Sequence, residues 1–248
     1  MRRIGIIGGS GFGEAFAQGK AETIDTEWGQ AAITRSPLSD TGELLFVARH
    51  GAGHRLPPHL INHRANIAAL RSAGVDGVLA TAAVGSLHLD KKPGDYVVLD
   101  DFIDMTKGEV VTWSGADRVQ HADMGQPYDA PLRAALIAAA ETLPRGATMH
   151  PRGTYVCLSG PRYETRAEVR LFASWGGDVV GMTSAPEAIL CRELGLPYAG
   201  IAIVTNYGCG LVDNAPLSHA EVEAQMTQSR HALLQWLTRT ALTLTTAT

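Results

Sequence analysis

The stretch IAIVTNYGCG, residues 201–210, runs apolar to Thr205, turns polar at Asn206 and closes on glycines. A short apolar run rich in β-branched residues and ended by a turn signal predicts a strand buried on both faces. Such strands belong to parallel or mixed sheets covered by helices. Ligands of those sheets gather beyond the carboxyl ends of the strands. Asn206 is therefore expected at a functional edge, where it presents a carboxamide rather than a carboxylate.

Outward from this strand, apolar runs and helical patterns alternate. RRIGIIGG, ELLFVARHG, DGVLATAAVGS, DYVVLDDFIDMT, GTYVCLSG and DVVGMT read as further strands, the second ending at Arg49 and His50. NHRANIAALRSAG has helical spacing through Ile67 and Leu70 and a stop at Gly74. DAPLRAALIAAAETLPRG is a helix with Asp129 as its cap and Pro131 in the first turn, and ETRAEVRLFASWGG is another. SAPEAILCRELG opens on Ser184 and Glu187, and SHAEVEAQMTQSRHALLQWLTRTAL on Ser218 and Glu221, both spaced as capping boxes. With no long linker, repeat or low-complexity tract, the chain is predicted to be one α/β domain, helices flanking a parallel or mixed sheet.

The bulk properties narrow the function. The 248 residues are 45% hydrophobic and 19% charged, an ordinary globular composition. The net charge of −4 offers no basic field for nucleic acid. Cys157, Cys191 and Cys209 lie far apart, as expected in a reducing compartment. The apolar stretch at the N-terminus breaks at Gly8, too early for a signal peptide, and no window approaches the ~20 apolar residues of a membrane helix. The expectation is a cytoplasmic protein that binds neither nucleic acid nor membrane.

Polar residues at the strand ends are the candidate site. GGSGFG is not the dinucleotide fingerprint, because Glu14 stands where the last glycine belongs, which argues against a dehydrogenase. It is not a P-loop either, since no Gly-Lys-Ser/Thr follows. Ser10 and the loop N–H groups either cradle an anion or form a plain tight turn. Arg49 and His50 are suited to fork onto and donate to an oxyanion, or equally to a surface ion pair and a structural histidine. The spacing of His50, His54, His59 and His63 hints at a metal, but the intervening glycines and prolines exclude a helix and no acid or cysteine joins them, so no metal is expected. Glu164 follows a strand and suits either a helix N-terminus or a ligand. Met182 and Thr183 follow another strand, where Met182 alone would pass as core filler.

Taken together, IGIIGGSG, ARHG, NHRANIAAL, AVGSL, GPRYETRAE, VVGMTSAPEA and CRELGLPYAGIAIVTN resemble the trimeric purine nucleoside phosphorylase and methylthioadenosine phosphorylase family. The similarity runs from about Ile4 to the final helix. It implies a single-domain, three-layer α/β/α fold around a mixed sheet. It also implies a homotrimer, a small-molecule nucleoside and phosphate as substrates, and neither metal nor organic cofactor. The reaction is phosphorolysis, which yields free base and sugar 1-phosphate. By resemblance, Ser10, Arg49, His50, Thr183 and the turn at Ala82 and Ala83 hold phosphate. Met182 lies against sugar and base, while Asn206, Tyr207 and Gly208 meet the purine. Asn206 and His50 are the catalytic candidates. The loop RVQHADMGQPYD, with His121, is expected to close a neighbouring subunit's sugar pocket.

The departures from the adenine-specific members point to the base. Those members carry Asp at the Asn206 position, a second Asp at Gly208 and a small hydroxyl residue at Glu164. A carboxamide donates to N7 or O6 of a 6-oxopurine, and the Glu164 carboxylate accepts from N1–H, or also from the 2-amino group of guanine. Facing adenine, that carboxylate meets the N1 lone pair, a mismatch of the kind that gives about 10⁴-fold rejection. Inosine and guanosine are the expected substrates, with Glu164 as a specificity residue. His219, thirteen residues beyond Asn206, is placed at the sugar 5′ position. The alternatives are a 5′-methylthioinosine phosphorylase and a nucleoside-binding module without turnover.

Overall fold

The computed structural model describes the whole chain except residues 1, 10–11, 13–15, 17–18, 41, 52, 116–118, 144–145, 213–217 and 247–248, and for His219 it describes the backbone alone. The strands are β1 (Arg3–Gly8), β2 (Lys20–Thr26), β3 (Gly29–Pro37), β4 (Glu43–Ala48), β5 (Gly77–Ser86), β6 (Tyr96–Val98), β7 (Asp101–Asp104), β8 (Met149–His150), β9 (Thr154–Cys157), β10 (Val179–Gly181) and β11 (Tyr198–Tyr207). The helices are α1 (His63–Ser72), α2 (Ala130–Ala139), α3 (Arg166–Ser174), α4 (Ser184–Glu193) and α5 (His219–Thr246).

All the strands join one mixed sheet with β5 at its centre. On one side β5 pairs in parallel with β1, and the order continues outward through β4, β3 and β2. On the other side β5 runs parallel to β11, followed by β6 and β8. At its carboxyl end β5 acquires a third neighbour, because Gly85 and Ser86 also pair antiparallel with Val180 and Val179 of β10, which leads on to β9 and β7. The sheet therefore forks where β5 ends, and the cleft of the fork opens beyond the strand ends.

Burial on both faces explains the unbroken apolar runs. In β11, Ile201 and Ile203 pack toward α2 and α5 beside Leu132, Leu136, Leu233 and Trp236. Ala202 and Val204 face the opposite layer, with Ile67 and Leu70 of α1 and Leu190 of α4. The period-2 alternation is present, but both phases are apolar because helices cover both faces. The predicted three-layer α/β/α architecture around a mixed sheet is the one observed.

Local signals hold in several places. Asn62 caps α1 and Asp129 caps α2, each side chain accepting a backbone N–H of the first turn. The reciprocal box of Ser218 and Glu221 forms at the start of α5. Three expectations change. DYVVLDDFIDMT is two strands: the Leu99 N–H goes to Gly200 and the Asp100 N–H to Gly153, so the chain steps from β11 to a new neighbour, β9, between them. The hairpin of β2 and β3 went unread because its faces are largely exposed and its sequence polar. The predicted box of Ser184 and Glu187 does not form. Thr183 holds the N-cap position of α4 without a side-chain cap, and Glu187 turns into the core.

Candidate active site

One end of the fork is built by an irregularity in β11. Val204 pairs with Val84 and Asn206 with Gly85, so Thr205 is an extra residue, a bulge. In a regular strand neighbouring side chains point to opposite faces; a bulge re-aims them. Thr205 and Asn206 accordingly both border the same cavity. The Thr205 hydroxyl has one proton and two acceptors in reach, Val84 O at 3.1 Å and Asn206 Oδ1 at 2.8 Å. Asn206 Nδ2 donates to Tyr207 O at 3.0 Å. A carbonyl only accepts, so the amide end facing Tyr207 must be the NH₂ group, with one further proton to offer.

Glu164 lies alongside, 5% exposed, with Oε1 accepting the Cys209 N–H at 3.2 Å. Gly85 lets the two groups converge. A Cβ at Gly85 would stand 3.2 Å from Asn206 Nδ2 and 3.7 Å from Glu164 Oε1. Any side chain there would crowd the carboxamide donor and begin to fill the space between it and the carboxylate.

The other end is ionic and deep. Arg49, just beyond β4, is 2% exposed and still borders the cavity. Its Nε and Nη2 donate to the two oxygens of Glu187 at 2.5 and 2.9 Å, and its Nη1 donates to Thr81 O at 2.7 Å. Among the described residues no partner takes the other two of the five guanidinium N–H bonds. The Glu187 carboxylate also takes the Tyr198 hydroxyl at 2.9 Å, and His63 Nδ1 lies 3.8 Å from it. The Glu187 partnership holds the Arg49 pKa above its ordinary value against the opposing effect of burial. Burial pushes His63 down to about 4, against the pull of Glu187, and among the described residues neither ring nitrogen has a hydrogen-bond partner.

Thr183, at the start of α4, lines the same cavity as Arg49, its N–H on the Tyr155 hydroxyl at 3.1 Å. Helix N-termini favour anions, and no side chain of Thr183 caps this one. His50 completes this end. Its Nδ1 is 2.8 Å from Leu56 O, an acceptor, so Nδ1 carries the proton and Nε2 is the ring's acceptor. Burial first, then the Arg49 cation, push His50 down to about 4, and its ring stacks on His54 at 4.1 Å.

A cavity of about 350 Å³ joins the two ends. Of the residues singled out in the sequence, Arg49, His50, His54, Ala83, Glu164, Met182, Thr183 and Asn206 border it. Ala82 does not: it points into the core beside Val84 and Ala202. Tyr207 and Gly208 lie behind the wall, Tyr207 fixing Asn206 through its carbonyl and Gly208 donating its N–H to Ser86 O. Ser10 and the His219 side chain lie outside the described residues, although the adjoining Gly9 borders the cavity. Sequence reasoning missed Gly85, Tyr163 and Val222, which also line it, and Glu187 behind Arg49. Val222 had a signal: it stands three residues, about one helical turn, beyond His219.

Among the described residues no group of three or more His, Cys, Asp or Glu could hold a metal, and no helix is long and apolar enough to cross a membrane.

Known proteins resemble this chain. The profile of the phosphorylase superfamily matches residues 3–241. The 6-oxopurine nucleoside phosphorylase of Pyrococcus furiosus is 49% identical over 230 residues, which span 90% of this chain and 85% of that protein. A probable S-methyl-5′-thioinosine phosphorylase of Methanocaldococcus jannaschii is 43% identical over 211 residues, 85% of this chain and 81% of its own. The methylthioadenosine phosphorylase of Schistosoma mansoni, solved with adenine, superposes with a TM-score of 0.92 at 32% identity, covering 98% of this chain and 92% of that one. With a full-length profile match, close relatives and the same fold, the chain belongs to the phosphorylase superfamily.

Proposed function

We propose that the protein catalyses phosphorolysis of 6-oxopurine nucleosides, inosine and guanosine, to free base and ribose 1-phosphate in purine salvage. One observation carries this reading: an amide donor and a carboxylate converge at Gly85 on the wall of a cavity that Arg49 and Thr183 also line. Phosphate at the Arg49 end attacks the anomeric carbon as the bond to the purine nitrogen breaks. The sugar becomes oxocarbenium-like and the bonding electrons pass to the base. The remaining Asn206 N–H meets the charge growing on O6 or N7, and Glu164 accepts N1–H. Hydrogen phosphate still bears one P–OH, and the acceptor Nε2 of neutral His50 suits it. Phosphate is a co-substrate, and the proposed chemistry requires no metal or organic cofactor.

The test is direct. Inosine with phosphate is expected to release hypoxanthine, and omitting phosphate to abolish release. Equal release without phosphate would identify a hydrolase, and no release with tight inosine binding would identify a binding module. Adenosine is expected to be cleaved at least 10²-fold more slowly, since Glu164 would face an unprotonated N1.

The second reading, 5′-methylthioinosine as substrate, is favoured by Val222, an apolar wall in the first turns of the last helix. His219, one turn earlier, is the proposed partner of a 5′-hydroxyl. Relative rates on inosine and methylthioinosine decide between them. We further propose a cytoplasmic homotrimer in which the loop around His121 meets a neighbouring subunit. Val110 and Val119 in the same connection are 54% and 73% exposed, apolar surface that such a contact would cover.

A further inference from the structure

We infer that Glu187 is a positioning residue of the phosphate site, tying Arg49 to the helix that presents Thr183 and so setting the gap between them. The inference rests on the phosphate site proposed above. Glu187 touches no part of the cavity, being 1% exposed behind Arg49. It lies four residues beyond Thr183, one turn into α4. Through it, a group from the end of β4 and a group at the start of α4, far apart in the chain, share one rigid link.

Three features suit this role rather than plain core filling. The carboxylate grips the Nε–Nη2 edge of the guanidinium bidentately, which fixes its plane as well as its position. The Thr81 carbonyl takes a third N–H, so the remaining two are the ones left for a ligand. The carboxylate is itself held by the Tyr198 hydroxyl, and Ser184, the first residue of α4, bonds both Tyr198 at 3.4 Å and Tyr128 at 2.9 Å. The ion pair is neutral overall, so the geometry of the free N–H bonds, more than net charge, does the holding.

The experiment titrates inorganic phosphate into wild-type protein, Glu187→Gln and Glu187→Asp by calorimetry, with KM for phosphate and for inosine measured in parallel. Glu187→Gln removes the charge and the second acceptor; phosphate Kd and KM are expected to rise at least tenfold while inosine KM stays within threefold. Glu187→Asp keeps the charge but falls one methylene short, and lies between. An unchanged phosphate Kd in folded Glu187→Gln overturns the inference, as does an equal rise in both KM values, the mark of general loosening. Tighter phosphate binding also overturns it, since Glu187 would then compete with the anion. Should Glu187→Gln not fold, Glu187→Asp and Tyr198→Phe decide: both are expected to weaken phosphate at least twofold, and no change in either overturns the proposal. Wild-type protein that binds phosphate in a Glu187-dependent way but releases no base refutes the phosphorylase reading and leaves this one standing.

Discussion

The two ends of the cavity are held by opposite means. At the proposed base end, Asn206 is fixed by its sequence neighbours, the Thr205 hydroxyl and the Tyr207 carbonyl, and Glu164 by one backbone N–H. At the proposed phosphate end, Arg49 is fixed by a carboxylate 138 positions away, itself anchored by a tyrosine from a third element. The proposed base end combines an amide held by its chain neighbours with a carboxylate held from Cys209, 45 positions away. The Arg49 end is a fully buried ion pair whose integrity depends on tertiary packing. The difference teaches that the groups proposed to read the base can be altered with less effect on the fold than the buried ion pair proposed to hold the anion.

The sharpest way to break that comparison is Arg49→Ala. It is expected to raise the phosphate KM by more than 100-fold with a much smaller change for inosine. It also strands Glu187, and removing one partner of a buried pair costs about 3–5 kcal/mol, read as a lower urea midpoint. A variant as stable as wild type would mean the ion pair is not the tether described here.

Acid should weaken the phosphate end next. His50 and His63 are neutral in the fold, both pushed down to about 4 from an ordinary 6.5. The unfolded chain therefore binds more protons between those values. The stability they contribute is full above about pH 6.5 and is lost as pH falls toward 4. For His63, the more enclosed ring, the loss is on the order of 2–4 kcal/mol. Urea melts at pH 7.5 and 5 measure it, and His63→Asn should flatten the dependence. A lower urea midpoint at pH 7.5 than at pH 5 would reverse the sign and refute the assignment.

At the base end, Asn206→Asp or Glu164→Ser alone should lower kcat/KM for inosine by about 10–100-fold, because each leaves a buried polar edge unpaired. Neither should move the melting midpoint as far as Arg49→Ala. The double substitution is expected to shift preference toward 6-aminopurines. An unchanged ratio of inosine to adenosine cleavage in the double variant would show that the base is read elsewhere. The smallest effect is expected at Val222. Val222→Ala removes about two methyl groups of apolar contact, roughly 1 kcal/mol or fivefold, and should slow methylthioinosine more than inosine.

Much of the fold was legible because burial on both faces leaves a plain record: unbroken apolar runs such as IAIV and VLATAAV, separated by helical spacing. The hairpin of β2 and β3 was not legible, since its faces are mostly solvated and its alternation is carried by polar residues. DYVVLDDFIDMT looked continuous because apolar content reports burial and says nothing about which neighbour a strand pairs with.

The site divides along the same line. Arg49, His50, Glu164, Thr183 and Asn206 were found in the sequence because polar residues at the ends of buried strands are conspicuous, and the resemblance gave them roles. Residue type alone determined that an amide and a carboxylate were available to read a base edge. Only the tertiary structure decided that Gly85 would let them converge, that a bulge at Thr205 would turn Asn206 inward, and that Val222 would form a wall. Glu187 shows the limit most clearly. Its spacing from Ser184 is that of a capping box, a local interaction worth about 1 kcal/mol. The fold instead brings it against a buried guanidinium, and leaving that cation unpaired costs several times more. Local pattern ranks only the options within reach of a few residues, and the stronger partner was 138 residues away.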